Sequence, residues 1–588
     1  MNATLQVQFK QSRLFAIVLA VLAVMFVFAM SPTGVHAQGD ETLLILLGRV
    51  QNLHQEPVYE AVIHLLVDGE PVLLWQGTES HEYAMSQPDG SFSAEARLSQ
   101  TVADALASGR VSLTVQVTKP TFHDATVAAE VELSSDTNHL YVDIPSIVLD
   151  YQYGAAFWVA TLAFVLVLVL IATGRLHKTI AALLGAVIVM GASGLGAAFY
   201  TPLHIFSVDR AFHYVDLNVI LLILGMMAYV GMAERTGVFQ RLAYLSYRAA
   251  RGKVWLLALY LMTITAVASA FLDNVTTMLL MSPISIEIAL VLGVNPLALL
   301  IPEVLASNIG GTATLIGDPP NILIGSYTGK SFLEFVAALG PVVLISLLVL
   351  AAFVMFRYRH EYRPGTGLYS KALLERLESD SRIRDPLLLR RVAVVGGLMG
   401  ILFVLGETLH LRPSVVALGG AVLLMVWNRP NVEELLHDVD WTTLIFFLAL
   451  FIVVGAIEEV GLIQAVADLA RRLAGGNLTI ATMLVLWLSA LASGIVDNIP
   501  FTAAMLPVAG YLTRMLPGAE NEVIFWALSV GACFGGNLTL VGASANLVTA
   551  GISERAGYPV TYMDFLKVGA PLTLLTILLA SAYFLIAY

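Results

Sequence analysis

Between Ala155 and Tyr588, apolar runs succeed one another at about 155–174, 179–199, 217–233, 254–271, 275–292, 297–327, 335–356, 391–406, 413–427, 441–457, 480–494, 498–516, 522–551 and 568–587, separated by short polar breaks. Runs of this length and composition predict transmembrane helices. Ahead of them, from about Glu41 to Asp150, the period changes to two: stretches such as Ala61–Val67 and Val111–Val117 alternate, and Asp68-Gly69 and Asp89-Gly90 mark turns, which predicts a small β-sandwich. An apolar run from Leu14 to Met30 follows Lys10 and Arg13, and Val35-His36-Ala37 supplies the small-x-small pattern that ends secretory signals. Residues 1–37 are therefore read as a signal peptide or N-terminal membrane anchor, and 38–150 as an extracytoplasmic β-sandwich domain. The remainder divides into a first transmembrane repeat (151–356), a cytoplasmic linker (357–390) and a second transmembrane repeat (391–588).

The two repeats carry one polar pattern. Asp216, Glu234, Gly237 and Asp273-Asn274 recur at a constant displacement as Asp440, Glu458, Gly461 and Asp497-Asn498. Gly310-Gly311, Thr314, Gly317 and Asn321 recur, displaced by one residue more, as Gly535-Gly536, Thr539, Gly542 and Asn546. If the Asp-Asn pairs are tips of re-entrant hairpins, each repeat keeps five full crossings, an odd number, and the repeats are inverted. The positive-inside rule agrees: with 41–150 outside, the basic loops at Arg175–Lys178, Arg235–Lys253, Arg357–Arg391 and Arg429 fall in the cytoplasm, although Arg471-Arg472 fall outside.

Composition narrows the class. The chain has 588 residues, of which 58% are hydrophobic and 13% charged. With a mean hydropathy of +0.80 it is a polytopic, multi-pass membrane protein whose first partner is the lipid bilayer, expected in the cell (plasma or inner) membrane. The net charge of −12 and the absence of a basic patch exclude a nucleic-acid partner. A single cysteine, Cys533, in an apolar run excludes a disulfide framework and reads as packing. His54, His64 and His81 lack ligand spacing and read as surface histidines. No GxxxxGK[ST] loop supports an ATP-driven pump, and no feature suggests an enzyme.

The chemistry concentrates at the tips and at two interrupted helices. Ionisable residues and broken backbone at membrane depth are tolerated where they line a cavity or find partners. The candidate ion or substrate residues are Asp273, Asn274, Asn308, Gly310, Gly311, Thr312, Thr314, Asp318 and Asn321 in the first repeat, with Asp497, Asn498, Gly535, Gly536, Asn537, Thr539, Ser544 and Asn546 in the second. Carbonyls freed at the breaks and side-chain oxygens suit a hard cation, with Na⁺ expected at Asp273, Asn274, Asp497 and Asn498, whereas exposed N–H groups suit an anion. Burial favours a neutral carboxyl and a bound cation favours a charged one, so proton and cation can compete for one site. The coupling ion is then H⁺, Na⁺ or both, with no other cofactor. Asp318 has Ala543 opposite it, which makes acid-based coupling asymmetric. The plainer reading makes Asp273 and Asp497 helix caps alone. Glu234 and Glu458 read as interfacial, and Glu303, shortly before the first break, is a candidate for the ion path.

Phe271-Leu272-Asp273-Asn274-Val275-Thr276-Thr277, Asn308-Ile309-Gly310-Gly311 through Gly317-Asp318-Pro319-Pro320-Asn321, and Gly535-Gly536-Asn537 through Gly542-Ala543-Ser544-Ala545-Asn546 resemble the ion transporter superfamily, in its arsenite-permease/NhaD-type branch with a citrate-transporter-like domain. The resemblance covers 155–588 and implies an elevator-type homodimer, with hairpins and broken helices in the moving domain. Carboxylate-carrying members have Ser-Asn-Thr at the tips; Asp-Asn at both tips here favours proton or sodium coupling. The opening of the β-domain, Gly48-Arg49-Val50 through Pro57-Val58 to Ala61-Val62, is similar to carboxypeptidase-regulatory or transthyretin-like domains. The expected fold is an all-α polytopic inverted repeat of five crossings plus one re-entrant hairpin each, with a small N-terminal β-sandwich. The expected function is secondary active transport of a small inorganic ion or small anion, first as a sodium/proton-type antiporter. The alternatives are an anion permease for arsenite, citrate, dicarboxylate or sulfate on the same fold, and a non-transporting membrane sensor.

Overall fold

A computed structural model describes residues 41–588 apart from 54, 77–78, 130–131, 134–138, 363–377, 380 and 438. The expected signal or anchor segment and His54 lie outside the described residues. The described residues form two compact units, divided between Asp150 and Tyr151.

In the first unit, period-two sequences become strands whose alternate side chains are buried, as in Ser91–Ser99 and Leu113–Thr118. One sheet has six strands, with Glu41–Asn52 paired in parallel to His139–Leu149 and antiparallel to Ser91–Ser99. The other is built around Val62–Val67 and Leu113–Thr118. Leu44, Leu46, Val142 and Leu140 from the first sheet and Ile63, Leu65, Val115 and Val117 from the second are buried. At the Asp89-Gly90 turn, Gly90 has φ +78° and leaves room for the Val50 carbonyl, which an ideal Cβ would approach to 2.4 Å. The Ser91 hydroxyl and amide both donate to Asp89 and hold its carboxyl below the usual range. His64 and His81 stand on different sheets.

The second unit is helical. We number its principal helices α1 (Ala155–Ala172), α2 (Lys178–Gly191), α3 (Leu217–Arg235), α4 (Val238–Ala250), α5 (Val254–Ser269), α6 (Asn274–Leu292), α7 (Leu297–Gly311), α8 (Pro319–Thr328) and α9 (Phe332–Arg357). They are followed by α10 (Pro386–Leu405), α11 (Pro413–Asn428), α12 (Trp441–Glu459), α13 (Leu462–Ala474), α14 (Leu478–Ser493), α15 (Asn498–Met515), α16 (Val523–Gly535), α17 (Ser544–Arg555) and α18 (Tyr562–Ala587). Among the described residues, eight helices are long and apolar enough to cross a membrane, including α1, α3, α9, α10, α12 and α18. The order of α1–α9 recurs in α10–α18. Packing follows the same exchange: α2 lies on α12 as α11 lies on α3, and α6 lies on α17 as α15 lies on α8.

Two differences from the sequence reading have a local cause. The stretch from Arg235 to Lys253, expected as a loop, contains α4, and the matching segment after Gly461 contains α13. Both are amphipathic, burying Phe239, Ala243 and Ala250 in one and Ile463, Ala467 and Ala474 in the other; interleaved arginines keep such helices out of a search for apolar runs. The second half also begins earlier than 391: α10 starts at Pro386, where the Asp385 carboxylate accepts from the Leu387 and Leu388 amides.

Candidate functional site

Four residues join α5 to α6, and the next helix pair is interrupted between Gly311 and Pro319; α14, α15, α16 and α17 repeat the arrangement. The breaks nest against the hairpins by close backbone approach. An ideal Cβ on Gly310 would fall 2.4 Å from the Ala266 carbonyl oxygen, and one on Gly535 would fall 2.5 Å from that of Ala490, so α7 on α5 and α16 on α14 are glycine contacts. Within each break the two flanking glycines face one another. A Cβ on Gly311 would meet the Gly317 carbonyl at 2.7 Å, and one on Gly536 would meet that of Gly542 at 3.3 Å. The Thr314 hydroxyl donates to the Ala270 carbonyl, and Thr539 donates to the Gly494 carbonyl at 2.6 Å, so each break is fastened to its hairpin turn.

The geometry repeated in the two breaks also uses their asparagines. Asn321 Nδ2 donates to the carbonyls of Thr312 (3.0 Å) and Thr314 (2.8 Å), while Asn546 Nδ2 donates to those of Gly536 (2.8 Å) and Thr539 (3.0 Å). These amides satisfy carbonyls released where the helix stops. The Thr312 hydroxyl returns to the Asn308 carbonyl at 2.9 Å, an ordinary turn within its helix. Ser529 Oγ donates to Asn321 Oδ1 at 2.5 Å, and Cys533 Sγ lies 3.9 Å from the same oxygen.

The two tips meet at Asp318. Asn274 Nδ2 donates to Asn308 Oδ1 (3.0 Å) and to Asp318 Oδ1 (3.4 Å), and Asn498 Nδ2 lies 3.4 Å from both Asp318 oxygens. Asn308 Nδ2 in turn donates to Asn537 Oδ1 (2.9 Å) and Asn546 Oδ1 (3.0 Å), linking the two breaks through side-chain amides. Asp318 is 0% exposed. It occupies the N-cap position of α8, yet its carboxylate makes no capping bond and turns to the tips instead. Ala543 holds the equivalent cap of α17 with nearly the same backbone angles, so the second break forms without an acid.

Asp273 and Asp497 are placed differently. Asp273 accepts from the Thr276 amide at 2.9 Å and its hydroxyl at 2.5 Å, capping α6. Asp497 accepts from the Ile499 amide at 3.1 Å and from Ser544 Oγ at 2.5 Å. Both carboxylates are thus engaged at helix starts while the adjacent asparagines reach the centre. Lys178, the last residue of the basic stretch Arg175–Lys178, donates to Ser544 Oγ at 2.9 Å, lies 4.0 Å from Asp497 Oδ2 and sits over the Phe446 ring. A lysine opening an apolar helix carries the same signature as an interfacial anchor, and no spacing distinguishes the two.

A cavity of 260 Å³ beside the first tip is lined by Lys178, Glu234, Asp273, Asp440, Pro319 and Ile322. One of 880 Å³ lies at the start of α3, lined among others by Asp216, Ser326, Lys330, His410 and Arg412. A cleft of 30 Å³ bordered by Ile322, Gly325 and Ser326 shares residues of α8 with both. Pro319 and Ile322 of α8 border the first cavity and Gly325 and Ser326 border the second, while Asp318 lines none of the three.

Glycine-nested breaks and polar tips inside a bundle of apolar helices define a polytopic membrane protein with a buried polar centre. Residues 168–531 match the family described as Citrate transporter, and the chain belongs to that family of membrane transporters, within the ion transporter superfamily. It is 40% identical over 433 residues to an uncharacterized transporter of Mycobacterium bovis, a match that covers 73% of this chain and 98% of that protein. It is 38% identical over 437 residues to a 46 kDa membrane protein of Mycobacterium leprae, with coverage of 73% and 98%. To the P protein of Homo sapiens it is 34% identical over 488 residues, covering 70% of this chain and 58% of that protein. Among solved structures, the YdaH transporter of Alcanivorax borkumensis aligns with a TM-score of 0.47 at 18% identity, over 73% of this chain and 97% of that one.

Proposed function

We propose that the protein is a secondary active transporter that exchanges a small cation, Na⁺ first, for protons at Asp318, between the two hairpin tips. The observation that supports this most is a fully buried carboxylate held by the Asn274 and Asn498 amides, with no Lys, Arg or His in ion-pairing range among the described residues. An uncompensated charge in such a place is costly, so a proton or a cation is the natural occupant. Side-chain oxygens of Asn308, Asn537 and Asn546 and the carbonyls at the breaks offer the hard ligands that Na⁺ prefers. In this reading Asp318, not Asp273 or Asp497, is the exchanging acid; the other two set the tips. Inverted halves, with an elevator-like movement of hairpins and breaks against the remaining helices in a homodimer of the cell membrane, would give the site its alternate access, with residues 41–150 outside.

A second reading keeps the fold and makes it an anion permease. It draws on the family description, Citrate transporter, and on the tip amides, whose N–H groups already face a carboxylate, that of Asp318. The readings separate in proteoliposomes with an acid interior. Addition of Na⁺ or Li⁺ is expected to drive proton efflux that is lost in Asp318→Asn. Uptake of citrate that survives Asp318→Asn, with no response to any cation, would replace the exchange reading with the anion one.

A further inference from the structure

A second buried acid stands apart from the tip site. Glu303, on α7, is 0% exposed, and its Oε2 accepts from the Ser285 hydroxyl of α6 at 2.9 Å. Its Oε1 is buried without a hydrogen-bond partner, as is the hydroxyl of Ser282, one turn before Ser285. Towards the tip, Ser307 lies one turn further along α7; its hydroxyl donates to Ser269 Oγ at 3.1 Å and lies 3.5 Å from the Asn274 carbonyl. Ser307 and Glu303 thus occupy successive turns of α7 on its way from the first tip, Ser307 bonded to the hairpin and Glu303 to α6.

The other half closes the same helix pair without them. The repeat displacement that sets Asp273 against Asp497 and Pro283 against Pro507 puts Leu506 and Ala509 where the first half has Ser282 and Ser285. The displacement that sets Gly310 against Gly535 puts Leu528 and Ala532 where it has Glu303 and Ser307. Packing therefore does not require the acid, and a membrane-buried carboxyl with one hydroxyl neighbour is expensive to keep. The elements packed on α7 bring little to offset a charge. Tyr362, beyond α9, donates to the Ala298 carbonyl at 2.7 Å, and Cys533 of α16 turns to Asn321. Among the described residues no cation lies in ion-pairing range of Glu303, and α5, α17 and α18 offer it no hydrogen bond.

We propose that Glu303 is a second proton-binding site, which takes up and releases a proton during the transport cycle and communicates with the tip through Ser307. The step makes and breaks one O–H bond, with water as the other proton carrier. Its part in coupling rests on the exchange reading above; the proton site itself does not.

The full-length protein in lipid provides the test. Infrared difference spectra across a pH titration are expected to contain a neutral-carboxyl C=O band that is lost in Glu303→Gln and retained, shifted, in Glu303→Asp. In proteoliposomes, Glu303→Gln should slow Na⁺-driven proton efflux about tenfold or more while exchange of radiolabelled Na⁺ at equal pH stays near wild type. Superimposable infrared titrations of wild type and Glu303→Gln would overturn the proposal, as would unchanged proton efflux in that variant. A wild-type protein without Na⁺-driven flux would remove the sodium reading and leave the infrared result to decide on Glu303.

Discussion

Three aspartates near the centre do different work. Asp273 and Asp497 sit at helix starts and accept backbone amides, whereas Asp318 declines its cap and meets both tips. Substitution should separate the roles. Asp273→Ala is expected to cost about 1 kcal/mol of stability through the lost cap, read as a lower unfolding midpoint in detergent, with Asp273→Asn retaining most of it. Asp318→Asn should leave the midpoint near wild type and abolish ion exchange. The sequence points first to Asp273 and Asp497 as the exchanging acids and to Asp318 only as a further candidate, because an Asp before a helix has the same spacing whether it caps or not. The direction of the side chain separates them, and that depends on partners brought from the other half, such as Asn498. Lys178 was hidden for the same reason: its contacts with Ser544 and Asp497 lie far along the chain. Lys178→Gln is expected to free Ser544 and Asp497 of their cation and to change the apparent ion affinity with little loss of fold, measured as the concentration dependence of exchange.

At the scale of elements, the breaks are set by glycine contact rather than by proline alone. Gly310→Ala and Gly535→Ala each push a methyl onto the backbone of the neighbouring hairpin arm, at Ala266 and Ala490. Each should destabilise by about 1–3 kcal/mol or more and impair transport together with stability, unlike Asp318→Asn. Removing the fastening hydroxyl by Thr539→Val should cost about 1 kcal/mol. Much of this was legible in advance: the tips, the breaks and their pairing follow from polar and glycine positions inside apolar runs. The helices α4 and α13 were not, because a helix half apolar and half basic matches neither a membrane run nor a clean turn.

For the whole molecule, helix order and packing recur in the two halves, and two buried acids do not. Asp318 aligns with Ala543, Glu303 with Leu528, and Ser307 with Ala532, so these two acids have no counterpart in the second half, while both halves supply tips and breaks. The tip asparagines of both halves, Asn274 and Asn498, thus reach one carboxylate, that of Asp318. The apolar runs announced the membrane class and the repeated motifs announced the family, and residues 168–531 belong to the family described as Citrate transporter. The repeat shows which positions differ between the halves, such as Asp318 and Ala543, but not which partners each side chain meets, since those come from packing between the halves, α6 with α17 and α15 with α8.

Binding of Na⁺ to the purified full-length protein, compared between Asp318→Asn and the double variant Asp273→Asn/Asp497→Asn, tests the central claim most directly. The expected result is loss of binding in Asp318→Asn and retention in the double variant, at a lower unfolding midpoint. Retained binding in Asp318→Asn with loss in the double variant would contradict the assignment and return the ion to the tip carboxylates.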